Sequence, residues 1–198
     1  MEVALDNLVR RMLELSPFVY RLAGGDERET AYRLRAQAAL ARGWRTPEEL
    51  PDGREHDQYD ERALHVIGWD GDLPMSTGRI VPPPSLPTEE ECGLVVEPAG
   101  RVVDVGRMCV ALSHQGLEHA AFVGLMCALY GEMRAQGFDV ACGMMSRPAR
   151  NLVGFLGLSL EVLGPERCYW NELRTPVRFS LMVDPVGRRT IAGDALSS

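Results

Sequence analysis

The segment 102–145 constrains the fold of this chain more than any other. Residues 102–112 form a long apolar stretch that predicts a strand, and residues 118–136 have helical spacing that ends at Gly137. Residues 139–145 predict a second strand. A strand, a helix and a strand in this order form a right-handed crossover, so we expect the two strands to lie parallel in one sheet.

The other segments add strands and helices around this crossover. We predict helices over 2–15, 26–42 and 148–157, strands over 18–23, 159–162 and 179–183, a hairpin of strands 65–69 and 75–81, and a loop over 82–91. Asp26 and Glu29 have the spacing of a capping box. Strands outnumber the helices between them, which predicts an α/β fold with a mixed, twisted sheet and helices on both faces. We expect a single domain over 1–184 and a flexible C-terminal tail over 185–198.

The composition disfavours several classes of protein. A net charge of −7 on 198 residues is unfavourable for binding DNA through its phosphates. No apolar run reaches the roughly 18 residues that a membrane helix needs, and the N-terminus lacks a signal-peptide pattern. The five cysteines and four histidines have no zinc spacing, so we expect no metal site and interpret the cysteines as reduced thiols of a cytoplasmic protein.

Three acids, Glu55, Asp57 and Asp60, form what we call the acidic cluster, and in the sequence they lie between Arg35 and Arg79. Neighbouring carboxylates repel one another, so the cluster requires cations close by. A nucleophilic amine that arrives as an ammonium ion is one candidate, and the flanking arginines are another. Both an acceptor site for an amine and a salt-bridged structural cluster are consistent with this pattern.

Several short motifs follow one another in a defined order. They are Tyr32-Arg33-Leu34-Arg35, Gly43-Trp44, the acidic cluster, Arg79-Ile80-Val81-Pro82, Asp104-Val105-Gly106-Arg107, and Leu163-Gly164-Pro165 with Tyr169 to Pro176. Together they resemble the GNAT acyltransferase superfamily, and within it the branch of acyl-homoserine-lactone synthases and N-acyl amino acid synthases. The resemblance spans about residues 18–183.

Some positions depart from the motifs of that branch. Ala38 and Ala39 stand where an aromatic residue is usual, Asp104 replaces a longer Glu, and Gly106 replaces Ser. These departures favour the broader class of N-acyltransferase over homoserine-lactone synthesis itself.

The resemblance implies a GNAT fold with a central splay after Val110, and an acyl thioester donor on phosphopantetheine or coenzyme A with no permanently bound cofactor. The candidate catalytic residues are Asp104, Glu55, Asp57 and Asp60. The candidate substrate-binding residues are Arg35, Trp44, Arg79, Arg107 and Tyr169. Backbone N–H groups of the strand and the following loop would hold the donor, at Cys109, Val110, Ala111, Gln115, Gly116, Glu118 and Ala120.

Glu118 stands where the resemblance places a glycine of the pyrophosphate-binding loop. A carboxylate about 4 Å from a phosphate costs about 1 to 4 kcal/mol, depending on the effective dielectric. The alternative is a helix-start acid, which stabilises a helix by about 0.3 to 1 kcal/mol. All 21 basic residues are arginine, and none lies between Arg107 and Arg134 to compensate. We therefore expect an acyl carrier protein to be favoured over free acetyl-CoA, with Arg134, Arg147 and Arg150 as candidate contacts.

Three further patterns have a structural and a functional interpretation. Cys109 with His114 has the composition of a cysteine nucleophile, but a buried structural cysteine is the commoner arrangement. Met144, Met145 and the apolar faces of 119–136 are either core or the wall of an acyl tunnel. Phe155 occupies the position at which many GNAT enzymes have a tyrosine general acid.

The sequence thus predicts an N-acyltransferase of secondary metabolism or signalling, with a small-molecule amine as acceptor. An aminoacyl-tRNA-dependent transferase and a non-catalytic GNAT-fold binding module are the alternatives. The acidic net charge disfavours a tRNA donor.

Overall fold

The computed structural model describes residues 2–114, 116–155 and 160–180. Its strands are β1 (Val19–Leu22), β2 (Leu64–Asp70), β3 (Leu73–Val81), β4 (Val102–Val110), β5 (Val140–Ser146), β6 (Leu160–Val162), β7 (Arg167–Tyr169) and β8 (Glu172–Ser180). Its α-helices are α1 (Glu2–Leu15), α2 (Glu27–Ala41), α3 (Pro87–Cys92), α4 (Glu118–Ala135) and α5 (Arg147–Phe155). No helix of the described residues is long and apolar enough to cross a membrane.

All eight of these strands belong to one mixed sheet. Its order is β1-β2-β3-β4-β5-β8-β6, and β7 pairs with β8. The pair β4–β5 is parallel and is joined through α4, whereas the other pairs are antiparallel. The predicted mixed α/β sheet with a parallel crossover is therefore confirmed.

Helices α2 and α4 cover opposite faces of the sheet, as two neighbouring residues of β3 demonstrate. A Cβ on Gly78 would lie 2.8 Å from Leu129 of α4. The next residue, Arg79, shares the carboxylate of Asp60 with Arg35 of α2. Since successive strand residues point to opposite faces, the predicted helices on both faces are present.

The larger core cluster lies between α4 and the centre of the sheet. Leu125 and Leu129 of α4 pack with Val66, Ile80 and Val103, and each is at most 2% exposed. Full burial of such a side chain stabilises the fold by about 1.5 to 3 kcal/mol. This packing fixes the start and the direction of the helix that follows β4.

The sheet opens between β4 and β5. Their parallel pairing covers only Val102–Asp104 and Val140–Cys142, whereas β5 stays paired with β8 as far as Ser146. The splay therefore begins after Asp104, and the prediction that it begins after Val110 is wrong. The β3–β4 register is irregular next to Arg107, whose φ is +53°. Because a bulge bends the strand that carries it, this irregularity explains why β4 separates from β5 so early.

Some local predictions are also wrong. Part of the predicted 82–91 loop is α3, which has Pro87 in its first turn and ends at Gly93 with φ +64°. Asp26 makes no side-chain cap, because its backbone is helical (φ −68°, ψ −17°) rather than extended. Glu29, the other member of the predicted capping box, pairs with Arg33 and Arg54.

The strands in the last part of the described chain also differ from the prediction. The last described strand, β8, begins at Glu172 rather than at Phe179, and it forms a hairpin with β7 that the sequence did not predict. Residues 156–159 and the C-terminal residues 181–198, including the predicted tail, lie outside the described residues.

Candidate active site

Three arginines and the acidic cluster form one buried network. Arg35 comes from α2, Arg79 from β3 and Arg107 from β4, whereas the acids come from the segment that precedes β2. Arg35 donates hydrogen bonds of 2.9 and 2.8 Å to the two carboxylate oxygens of Asp60, and its Nε donates to Glu55. This bidentate geometry is the strongest form of an arginine–carboxylate pair.

The other two arginines complete the network. Nη1 of Arg79 donates to Asp57 at 2.6 Å and to Asp60 at 2.9 Å. Arg107 donates to Glu55 at 3.2 Å and to Asp57 at 2.9 Å. Each carboxylate thus contacts two arginines, so three formal negative charges meet three positive charges.

The network keeps the carboxylates of Asp57 and Asp60 ionised. Burial alone would raise the pKa of Asp60, but Arg35 and Arg79 outweigh it and hold the pKa well below its ordinary value. Arg79 and Arg107 likewise outweigh burial and lower the pKa of Asp57. A carboxylate with a lowered pKa is a weak base, so these acids are better suited to orienting cations than to removing protons.

The acids of the cluster differ in accessibility. The side chain of Asp57 is 24% exposed, whereas that of Asp60 is 4% exposed. Asp57 is therefore the acid of the cluster that is most accessible to solvent. Glu55 is as deeply buried as Asp60.

Asp104 lies on the same face of the sheet but is bonded differently. Its Oδ2 accepts a hydrogen bond of 2.8 Å from the backbone N–H of Thr88, and the thiol of Cys142 lies 3.7 Å from the same oxygen. Burial raises the pKa of Asp104, although the hydrogen bond from Thr88 opposes this effect. Its Oδ1 lies 3.6 Å from the point where a Cβ on Gly106 would be, so a glycine separates this carboxylate from the cavity described below.

The β7–β8 hairpin covers the network with aromatic side chains. Trp170 and Asn171 form its two-residue turn, and both have a positive φ, as a type I′ turn requires. The guanidinium of Arg107 lies 4.0 Å from the centroid of a Trp170 ring. It also donates a hydrogen bond of 2.9 Å to the hydroxyl of Tyr169. The hairpin thereby fixes Arg107 from above, while the acids fix it from below.

A cavity of about 410 Å³ passes through the gap between β4 and β5. On the α2 face its mouth is polar and aromatic, with Arg42, Trp44, Arg107, Glu172 and Arg174. On the α4 face it is apolar, with side chains of α4, α1 and α5. Met144 and Met145 of β5 line the edge of the gap. The main-chain atoms of Val105 to Met108 therefore lie where a polar mouth meets an apolar chamber.

Some of the backbone N–H groups predicted to bind the acyl donor already make hydrogen bonds within the protein. The N–H of Ala111 donates to the carbonyl of Met75 at 2.7 Å, which continues the pairing with β3. Gly116 donates its N–H to the carboxylate of Glu118 at 2.6 Å, so this predicted phosphate-binding group already has a partner within the protein. Ala120 lies in the first turn of α4, and Gln115 lies outside the described residues.

The structure also bears on the interpretation of Cys109 and His114 as a nucleophile and its base. Burial raises the pKa of the Cys109 thiol to about 12, which keeps it protonated. The ring nitrogens of His114 bond to Ser113 at 2.9 Å and to Asp70 at 3.2 Å. These contacts disfavour a pair of Cys109 with His114 as nucleophile and base.

Comparisons with known proteins find similarity in three-dimensional structure. No protein-family model and no curated protein matches the sequence. The acyl-homoserine-lactone synthase LasI matches with a TM-score of 0.70 at 16% identity, over 83% of this chain and 90% of LasI. BjaI, a CoA-dependent acyl-homoserine-lactone synthase solved with SAM and isopentyl-CoA, matches with a TM-score of 0.65 at 22% identity, over 79% and 76% of the two chains. FeeM, an N-acyl amino acid synthase from uncultured soil microbes, matches with a TM-score of 0.65 at 14% identity, over 83% and 90%.

The chain has the fold of the acyl-homoserine-lactone synthases. A putative N-acetyltransferase from Lactobacillus plantarum matches as well, with a TM-score of 0.62 at 15% identity over 83% of this chain and 99% of that one. The GNAT-like fold that the motifs predicted is thus confirmed. At these identities the likeness concerns the fold, and the residues of the site are argued from their own geometry.

Within this synthase fold, the structure brings the predicted acceptor residues together. The acidic cluster, Arg35, Arg79, Arg107 and Tyr169 form one connected set, and Trp44 reaches its edge through Arg174, whose guanidinium lies 4.7 Å from the Trp44 ring. Among the described residues, no group of three or more His, Cys, Asp or Glu side chains has the geometry to hold a metal ion. All five cysteines are free.

Sequence reasoning missed Arg42, Trp170, Glu172 and Arg174. The only signal was their position, since Arg42 adjoins Gly43-Trp44 and the others lie inside the Tyr169 to Pro176 motif. Of the predicted carrier contacts, Arg134 is paired with Asp139 and Arg150 lies 3.7 Å from Glu166, whereas Arg147 is exposed.

Proposed function

We propose that the protein is an N-acyltransferase that moves an acyl group from a thioester donor to the amine of a small molecule. The observation that carries the proposal is the cavity through the β4–β5 gap, which joins a polar mouth to an apolar chamber. An acyl thioester has this same division, because its carbonyl is polar and its chain is apolar. The likeness in fold to synthases of acylated amines supports the proposal.

In the proposed reaction the neutral amine attacks the thioester carbonyl, the C–S bond breaks and an amide bond forms. One proton leaves the amine for a base, and the departing thiolate takes up a proton to become a thiol. The protein contributes by holding the two reactants in the gap at a fixed distance and orientation. A polar mouth and an apolar chamber on opposite faces of the sheet serve this purpose.

The network of Arg35, Arg79, Arg107 and the acidic cluster is proposed to bind and orient the acceptor. Asp57 is the most exposed acid of the acidic cluster, and it is proposed to contact the ammonium form before the amine is deprotonated. Trp44 lines the mouth and Tyr169 contacts Arg107 beside it, and we expect these aromatic rings to limit the access of water. A water-poor mouth strengthens the charge interactions that hold the acceptor.

Asp104 is proposed to be the base, acting through a water in the space that Gly106 leaves open. Burial raises its pKa, whereas the arginines lower the pKa values of Asp57 and Asp60. A carboxylate with a raised pKa accepts a proton more readily near neutral pH. The 3.6 Å between Oδ1 and the Cβ position of Gly106 supports a short path to the cavity.

The proposed donor is an acyl group delivered on an acyl carrier protein. The carboxylate of Glu118 already accepts the N–H of Gly116, at the start of α4, where a pyrophosphate would otherwise be held. A phosphopantetheine arm carries one phosphodiester and no pyrophosphate, so it makes a smaller demand on this loop.

Mass spectrometry of extracts from a bacterial host that expresses the protein tests the proposal. We expect new N-acyl compounds with the native chain, and their loss with Met126→Trp, which fills the chamber from α4. The matched control is Leu173→Trp, an exposed position outside the cavity lining. If cells with folded native protein yield no N-acyl compound that cells without it lack, the chain is a binding module and the proposal is wrong. If folded Met126→Trp yields the same N-acyl compounds as the native chain, the cavity does not hold the acyl group.

A further inference from the structure

Helix α1 forms one wall of the apolar chamber. Leu8, Val9 and Met12 line the cavity, and their spacing places them on one side of the helix. Elsewhere α1 is anchored to the rest of the molecule, since Leu13 packs against the core between α4 and the sheet and Asp6 accepts a hydrogen bond from Tyr130 of α4. The helix is thus held in position while part of its surface faces the cavity.

Two of the side chains that α1 presents to the cavity are exposed. Leu8 is 56% exposed and Met12 is 39% exposed, although both are apolar. Apolar surface that lines a cavity loses contact with water when an apolar ligand enters, and this transfer is favourable. The wall is therefore suited to contact the end of an apolar chain.

The cavity limits how long that chain can be. At about 30 Å³ for each heavy atom, close to the share of one water in the liquid, 410 Å³ holds on the order of ten atoms. Part of this volume belongs to the polar mouth, which is lined by Arg42, Arg107 and Arg174, so an apolar chain can use only the remainder. Because α1 packs chiefly against α4, on the side of the chamber away from β4, we expect a chain that starts at the β4 bulge and fills the chamber to end against α1.

We propose that α1 is the end wall of the acyl chamber, and that Val9 and Met12 set the length of the acyl chain the protein accepts. This proposal rests on the proposed function, because it assigns the occupant of the chamber. It makes chain length a property of the N-terminal helix rather than of the sheet. Met12 is the residue through which the limit is tested, because its long and unbranched side chain yields the largest change in space.

Calorimetric titration with S-alkyl-pantetheine thioethers measures this limit without any transfer reaction. The probes carry saturated chains from about four to about sixteen carbons. We expect the dissociation constant to fall about fourfold for each added methylene that is buried. The dissociation constant should stop falling at the chain length at which the end of the alkyl chain meets α1. We call this chain length the stopping point.

Substitutions at Met12 should move this stopping point in both directions. Met12→Ala removes about three heavy atoms from the wall and should shift the stopping point two or three carbons longer. Met12→Trp adds volume and should shift it shorter. Leu15→Ala and Leu15→Trp are the matched controls, because Leu15 lies on the same helix, is 73% exposed and does not line the cavity.

The outcomes separate this proposal from the proposed function. A stopping point that is the same for all four variants, or no binding of any probe, overturns the role of α1. If the stopping point shifts as expected but expression yields no N-acyl product, α1 is the end wall of an acyl-binding site and the transferase proposal fails. Thermal unfolding of each variant checks that α1 stays docked, and the opposite shift expected for Met12→Trp cannot arise from loosening of the helix.

Discussion

At the scale of single residues, the site depends on how each carboxylate is partnered. Glu118 is bonded to a backbone N–H, the acidic cluster is bonded to arginines, and Asp104 is bonded to the N–H of Thr88. The arginines outweigh burial and lower the pKa values of Asp57 and Asp60, whereas burial raises the pKa of Asp104. The sequence identified the acids and the flanking arginines as candidate partners, but which arginine bonds to which acid depends on strand register and was not predictable from spacing.

We expect Glu118→Gly to strengthen the binding of coenzyme A by about 1 kcal/mol or more, because it removes a negative charge and frees the N–H of Gly116. Calorimetric titration with acetyl-CoA measures the change. Glu118→Gln is the matched control, since it keeps the shape and removes only the charge. Micromolar binding by the native protein, left unchanged by Glu118→Gly, would show that Glu118 is only a helix-start acid.

Asp104→Asn should lower turnover far more than it lowers the free energy of unfolding. An Asn oxygen can still accept the N–H of Thr88, whereas an amide cannot take a proton from the acceptor. Product formation and urea unfolding are measured on the same variant. Gly106→Ala is the companion, because its methyl group fits at 3.6 Å from Asp104 and fills the path to the cavity. Equal losses of turnover and stability in Asp104→Asn would identify a structural carboxylate.

We expect the free energy of unfolding to decrease as the pH falls below neutral, because His65 is buried and its pKa is lowered. Burial lowers its pKa from 6.5 to about 4, although Asp60 opposes this effect, so between these values the unfolded chain binds a proton that the folded chain does not. Stability is fully present above pH 6.5 and declines by about 2 kcal/mol between pH 7 and pH 5. Urea unfolding across this range should give a flatter profile for His65→Phe, which keeps a ring beside Tyr32. Parallel profiles for the two proteins would contradict this.

At the scale of elements, the β7–β8 hairpin holds the network closed. The ring of Trp170 lies between Arg107 at 4.0 Å and Arg45 at 4.5 Å, and it packs beside a cluster that contains Leu50. The strand periodicity of 172–180 is interrupted by two arginines and a proline, so the sequence did not predict a long strand there. The type I′ turn of Trp170 and Asn171 lacks the glycine that usually signals a hairpin.

Trp170→Ala should lower the free energy of unfolding by about 1 to 3 kcal/mol, because it removes two cation–aromatic contacts and their packing. Urea unfolding measures the loss. Leu173→Ala, on the same hairpin but 59% exposed, should change stability by less than about 0.5 kcal/mol. If the two variants lose the same stability, the hairpin does not hold the network.

At the scale of the whole molecule, the gap in the sheet is the feature on which the site depends. The crossover of β4, α4 and β5 was predictable, because the periodicity of an apolar strand and of a buried helix is a local property of the sequence. The point where the two strands separate was not, because it depends on a bulge beside Arg107 and on the pairing of β5 with β8. Both are long-range pairings that leave little trace in local sequence.

The last prediction concerns the point where the gap begins. A Cβ on Gly143 of β5 would lie 2.5 Å from the carbonyl oxygen of Val105, and because this is backbone against backbone, neither strand can yield cheaply. We expect Gly143→Ala to lower the free energy of unfolding by about 1 to 3 kcal/mol. The same substitution at Gly131 of α4 meets nothing within 4 Å and should raise stability by about 0.5 to 1 kcal/mol, since alanine favours a helix. Urea unfolding of both variants gives the comparison, and a Gly143→Ala protein as stable as the native chain would mean that β4 and β5 do not approach each other at this point.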